Sequence, residues 1–172
     1  EQVSPEELSR RAAHVTRETD ELLHESRKVL RDVYIEQQDA ERHLRYFPKT
    51  AFPLALVVAQ AGAGKTNLAR HLAMEWGKGG ASVVLLRALA IPDSELMAHL
   101  RRELRLAVEV DSTDLAERGA SAQHPLIIVL DGLNEHGQRE EFLTSVLAFA
   151  AQVRSSRHVK VLLTWRREYA TW

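Results

Sequence analysis

Leu54-Ala-Leu-Val-Val-Ala-Gln-Ala-Gly-Ala-Gly-Lys65-Thr66 is an apolar run that breaks into a glycine-containing turn and ends in Gly64-Lys65-Thr66. Six aliphatic residues in a row predict a buried strand, and the amphipathic stretch from Lys65 onward predicts a helix. A glycine turn between the two is the pattern of a phosphate-binding loop. Gly62 and Gly64 let backbone N–H groups crowd around phosphate oxygens, Lys65 offers a point charge to β- and γ-phosphates, and the Thr66 hydroxyl suits Mg²⁺. The helix that starts here adds the positive end of its dipole. The pattern usually opens on glycine where this chain has Ala59.

Outward from that loop the chain alternates strand and helix. Residues 65–76 are amphipathic through Leu68, His71, Leu72 and Met74, and Gly77-Lys-Gly-Gly80 stops them. Strands are predicted at 81–86, 126–130 and 159–163, and helices at 93–108 and 138–153, with a polar connection of undefined structure over 110–124. Near-continuous Val, Leu and Ile predict strands buried on both faces, and helices of this length between them predict right-handed crossovers in a parallel sheet.

Upstream, Ser4-Pro5-Glu6-Glu7 is a helix-start signal, with Ser4 as cap, Pro5 in the first turn and Glu7 closing a capping box. The helix is expected to reach residue 32. Leu8, Ala12, Val15, Thr19, Leu22, Ser26, Val29 and Val33 recur at steps of four and three, the seam spacing of paired helices, but Ala, Thr and Ser make a weak seam. Docking on the core, or on a neighbour, is expected instead. Val33-Tyr34-Ile35 is a β-prone break, and residues 39–47 form another helical piece before Pro48 and Pro53. The expected division is a helical extension over 1–48 and an α/β core over 49–172.

The 172 residues, 45% hydrophobic, suffice for one core with an appendage. A net charge of −1 gives no sign of a nucleic-acid or membrane partner. The chain has no cysteine, which rules out disulfides and thiol catalysis within it and fits a reducing, cytoplasmic setting. No apolar run reaches membrane-spanning length, and the start lacks the order of a signal peptide. Beginning on Glu1, the chain reads as a piece of something longer. Its eight histidines show no metal-ligand spacing.

Pro125-Leu-Ile-Ile-Val-Leu-Asp131-Gly132-Leu133-Asn134-Glu135 is a second apolar run, this one ending in acids. Alone, Asp131 reads equally well as a helix cap for the next segment. Beside a phosphate loop, it reads as a Mg²⁺ ligand. Glu135 then lies where a carboxylate orients or deprotonates an attacking water, with His136 next to it.

Asp-Gly-Leu-Asn-Glu resembles the Walker B motif of NACHT-type NTPases in the STAND class of signalling ATPases, and Val161-Leu-Leu-Thr164-Trp165-Arg166 resembles that class's sensor 1. Order and spacing agree over residues 54–167. The resemblance implies a three-layer αβα sandwich with a parallel sheet, a P-loop NTPase of the additional-strand (ASCE) type. It implies ATP or ADP and Mg²⁺ as cofactors. Gly62, Ala63, Gly64, Lys65, Thr66, Asn67 and Thr164 would hold the nucleotide, Thr66 and Asp131 the metal, and Glu135 and Arg166 would be catalytic. It also implies slow ATP hydrolysis, a nucleotide switch between a closed monomer and an oligomer, and effector and sensor domains elsewhere in the protein, in antiphage defence or innate immunity. Val33-Tyr34-Ile35 is similar in place to a family segment bordering the adenine. Asn134 stands where family members often carry a second Asp, and an amide cannot serve as a base. The family's lid and winged-helix region would lie beyond Trp172, leaving Trp165 and Trp172 uncovered. A small-molecule kinase, a DNA-associated AAA-type ATPase and a non-hydrolysing nucleotide-binding interaction module are the alternatives.

Overall fold

Strands β1 (Leu54–Ala59), β2 (Ser82–Arg87), β3 (Leu126–Asp131) and β4 (Val159–Arg166) form one sheet in the order β1-β4-β3-β2, in a computed structural model that describes residues 4–26 and 38–169. Every pairing is parallel, as the continuous aliphatic runs predict. All of β3 is buried, and β4 is buried up to Arg166. β4 extends three residues past its predicted end because Thr164, Trp165 and Arg166 continue the ladder with Val57, Val58 and Ala59.

Helices cover both faces. On one side Leu68, Leu72 and Trp76 of α3 (Lys65–Lys78) pack with Val83, Leu85, Ile127, Val129 and Leu162. On the other, Leu96 and Leu100 of α4 (Leu96–Glu103) and Phe142 and Val146 of α6 (Arg139–Gln152) pack with Val84, Leu86, Ile128, Leu130 and Val161. The connection before β3 holds a short α5 (Ser112–Asp114), closed by an Asp111/Asp114 capping box. A short α2 (Gln38–Leu44) precedes Phe47, which packs on Trp76 with ring centres 6.1 Å apart.

The first helix, α1 (Pro5–Glu25), lies along the sheet's β2 edge. Its Leu8, Ala12 and Val15 enter one core and Leu23 the other, so it crosses from face to face. At the crossing, the Thr16 hydroxyl donates to the Val83 carbonyl at 2.5 Å and accepts from the Leu85 N–H at 3.0 Å. An edge strand's free polar groups are thereby paired. This helix docks on the core, as its weak seam predicts, but its buried face departs from the seam spacing: Leu22 is 50% exposed and Leu23 is buried in its place, because one straight helix on a sheet edge keeps the 3.6-residue period. Ser4 caps the helix through the Glu7 N–H at 3.2 Å. Glu7 does not close the box, because its carboxylate is taken by Arg10 and by Arg11, the latter at 2.7 Å. The expected continuation to residue 32, with Val29 and the Val33-Tyr34-Ile35 segment, lies outside the described residues, as does Trp172.

α4 is shorter than the predicted 93–108. Arg105 takes φ 51°, and the Leu106 N–H turns back to the Arg101 carbonyl at 2.8 Å, which ends the helix. Arg11 of α1 donates to the Leu104 and Arg105 carbonyls at 3.0 and 2.7 Å, tying down that end. Trp165 is not uncovered as expected. It is 3% exposed, inside the same core as α6.

Candidate functional site

The C-terminal ends of β1, β3 and β4 converge on one cleft of about 300 Å³, lined by Gly62, Gly64, Lys65, Thr66, Asn67, Asp131, Gly132, Asn134, Glu135, Thr164 and Arg166. Of the residues expected to hold nucleotide or metal or to be catalytic, Ala63 alone is outside this lining, and His136, beside Glu135, is outside it as well; Ala63 is exposed on the loop, its N–H on the Gln60 carbonyl at 3.3 Å. Gly62 and Gly64 have φ of 75° and 78°. A Cβ at Gly62 would meet nothing within 4 Å, so the backbone conformation, and not space, is what asks for glycine there.

Asp131 is 4% exposed and bracketed by hydroxyls. Thr66 Oγ1 donates to its Oδ2 at 2.8 Å, and Thr164 Oγ1 donates to its Oδ1 at 2.7 Å. Thr164 in turn accepts the Gly132 N–H at 2.8 Å, fixing the turn after β3. Thr66 and Asp131 thus present two hard oxygens side by side, donors that fit Mg²⁺ if waters and phosphate oxygens complete its shell. No group of three or more His, Cys, Asp or Glu residues is placed to hold a metal by itself among the described residues.

Lys65 is buried, and its ammonium donates to the Ala59 and Gln60 carbonyls at 2.8 and 2.6 Å. Burial, and then the nearby Arg166, push its pKa below the ordinary lysine value, while Glu168, Asp131 and Glu135 oppose them. Arg166 donates through Nη2 to Glu135 Oε1 at 3.0 Å, and its backbone N–H to Asn134 Oδ1 at 3.2 Å. Asn134 therefore serves as an acceptor that holds the end of β4. His136 is tied into the scaffold: it stacks on Phe142 with centres 4.2 Å apart, accepts the Gln138 N–H at 3.0 Å and lies 3.1 Å from the Asp93 carbonyl. That accounts for both ring nitrogens and leaves it no role as a base.

Sequence reasoning missed Glu168, whose carboxylate accepts the Ala61 N–H at 3.4 Å over the glycine loop. Its pKa is lowered, first by a hydrogen bond from its own backbone and, against the opposing effect of burial, by the Ala61 N–H, Lys65 and Arg166. No local motif marks it, since the contact spans 107 residues of sequence.

No protein-family model matches the chain, and no curated protein does. Among solved structures it is similar to C. elegans PCH-2, at TM-score 0.45 and 19% identity, over 80% of this chain and 40% of that one. It is also similar to a chain in the E. coli HORMA:CdnC:Trip13 complex, at TM-score 0.42 and 12% identity, over 95% of this chain and 55% of that one. The chain spans about half the length of these structures or less, and at such scores neither assigns it an activity.

These findings correct the NACHT-type reading. No family model of that class matches the chain, and the solved structures it is similar to are C. elegans PCH-2 and a chain of the E. coli HORMA:CdnC:Trip13 complex. Membership of the STAND class is withdrawn. With it go ATP hydrolysis, the nucleotide-driven oligomer with its attached effector, and the place in immunity or antiphage defence. A mixed α/β fold with a four-stranded parallel sheet stands, and no helix among the described residues is long and apolar enough to cross a membrane.

Proposed function

We propose that the cleft binds the polyphosphate of a nucleotide, ATP or ADP, together with Mg²⁺, on a phosphate-loop fold of the additional-strand type within residues 49–172. The observation that carries this reading is Asp131 held between the Thr66 and Thr164 hydroxyls, beside Lys65 and the left-handed glycine turn. Strand order supports it, since β4 between β1 and β3 brings Thr164 and Arg166 to the same strand ends as the loop. Lys65 would exchange its carbonyl partners for phosphate oxygens, and the loop N–H groups would take the rest. Thr66 and Asp131 would hold Mg²⁺, which when bound neutralises phosphate charge. Arg166, already at the cleft wall, would offer a second cation to the terminal phosphate.

The test is thermal. At saturating Mg-ADP, roughly a hundred times the dissociation constant, the melting temperature is expected to rise by roughly 5 to 10 °C. Lys65→Ala should abolish the rise, and adenosine, which lacks phosphate, should not produce it. Equal shifts in parent and variant would overturn the assignment.

A further inference from the structure

A second cavity, about 650 Å³ against about 300 Å³ for the cleft, opens at the other end of the sheet. Ala81, Pro125 and His158, the residues leading into β2, β3 and β4, lie on it, and Trp76 and Pro48 give it apolar walls. Its charge is one-sided. Lys49 and Arg157 line it, and neither has a carboxylate partner among the described residues. Arg45 also lines it but is held by Glu41 at 2.9 Å, and the one acid on the lining, Glu75, lies 3.5 Å from Lys78.

Lys160, fully buried, stands behind this wall. Its ammonium donates to the carbonyls of Thr50, at 2.7 Å, and Phe52, at 3.0 Å, and Thr50 is itself part of the lining. Those partners are neutral, so the charge is hydrogen-bonded without being compensated, a costly state inside a protein. Burial and then the nearby Arg157 push its pKa below the ordinary lysine value, which places both cations in one field. An anion in the cavity would relieve that field, and the volume falls in the range of small-molecule sites.

We infer that this cavity binds a small organic phosphate, its apolar body against Trp76 and Pro48 and its anionic head on Arg157 and Lys49. The site is separate from the phosphate loop and does not depend on what the loop binds.

The experiment titrates phenyl phosphate into isotopically labelled protein and follows amide and indole N–H signals. Saturable shifts are expected at the Trp76 indole and at Thr50 and Gly79, and they should persist in Lys65→Ala. Phenol at the same concentration should leave them in place. Reversing both charges, Lys49→Glu with Arg157→Glu, should weaken binding roughly tenfold or more, while the melting temperature of the free protein does not fall, because both side chains are exposed and a carboxylate at 157 relieves the field on Lys160. Shifts confined to residues 62–67, equal shifts with phenol, or undiminished affinity in the double variant would each overturn the site. If that variant fails to fold, Arg157→Gln replaces it, with weaker affinity expected and unchanged affinity counting against the site.

Discussion

His99 is a histidine kept neutral by its surroundings. It is 4% exposed, and its Nδ1 accepts from Arg102 Nη2 at 2.5 Å. Burial lowers its pKa below 6.5, helped by Arg102 and opposed by Glu103 and Asp93. The unfolded chain therefore takes up the proton first as pH falls. His99 costs the fold nothing above 6.5, and stability drops below that value until the folded pKa is passed. Between about pH 7 and about pH 5, the melting temperature of His99→Gln is expected to fall less steeply than that of the parent. Parallel slopes in a calorimetric series would show that other groups set the acid sensitivity. At the same scale, Thr164→Val leaves the Gly132 N–H and one Asp131 oxygen without their shared partner, and should cost about 1 to 3 kcal/mol by denaturant unfolding.

Elements end and dock through contacts of this kind. Arg105 holds a left-handed conformation that costs an L-residue roughly 1 to 2 kcal/mol, and glycine takes it without strain. Arg105→Gly should therefore raise the urea midpoint with an unchanged slope, by an amount reduced by glycine's greater freedom in the unfolded chain. A lower midpoint would mean that the Arg105 side chain contributes more than its backbone costs. α1 gives a sharper contrast. Thr16→Val would strip the β2 edge of the group that pairs the Val83 carbonyl and the Leu85 N–H, and should cost about 1 to 3 kcal/mol. Thr19→Val, at a similarly buried position on the same helix, should be nearly neutral. Equal costs would place the edge contact among ordinary packing.

For the whole molecule, α1 binds the two cores together, with Leu8 on one face of the sheet and Leu23 on the other. Both are fully buried. Leu8→Ala and Leu23→Ala should each cost about 2 to 5 kcal/mol. In both variants, circular dichroism and tryptophan fluorescence should report one coincident transition, since neither face can lose the helix alone. Two separated transitions would show that the faces unfold independently. The opposite margin of the sheet differs: on β1, Leu56 and Val58 stay 43% and 41% exposed, with no helix laid along that edge among the described residues.

The sequence by itself determined the parallel α/β architecture and most of the residues that line the cleft. Those features rest on local codes: the glycine turn before Lys65, unbroken aliphatic strands, and an acid at the end of one of them. Resemblance of motifs went further than the molecule follows, because a short local pattern does not carry with it the family built around it. Only the tertiary structure decided the rest. It set α1 on the β2 edge with Leu23 and not Leu22 buried, turned His136 into a stacked support for Phe142, and set Glu168 over the loop from 107 residues away. It also gathered Lys49, Arg157 and Lys160 around one cavity. Such contacts join residues far apart in the chain, and their energies depend on burial and on the partner supplied, which no local pattern records.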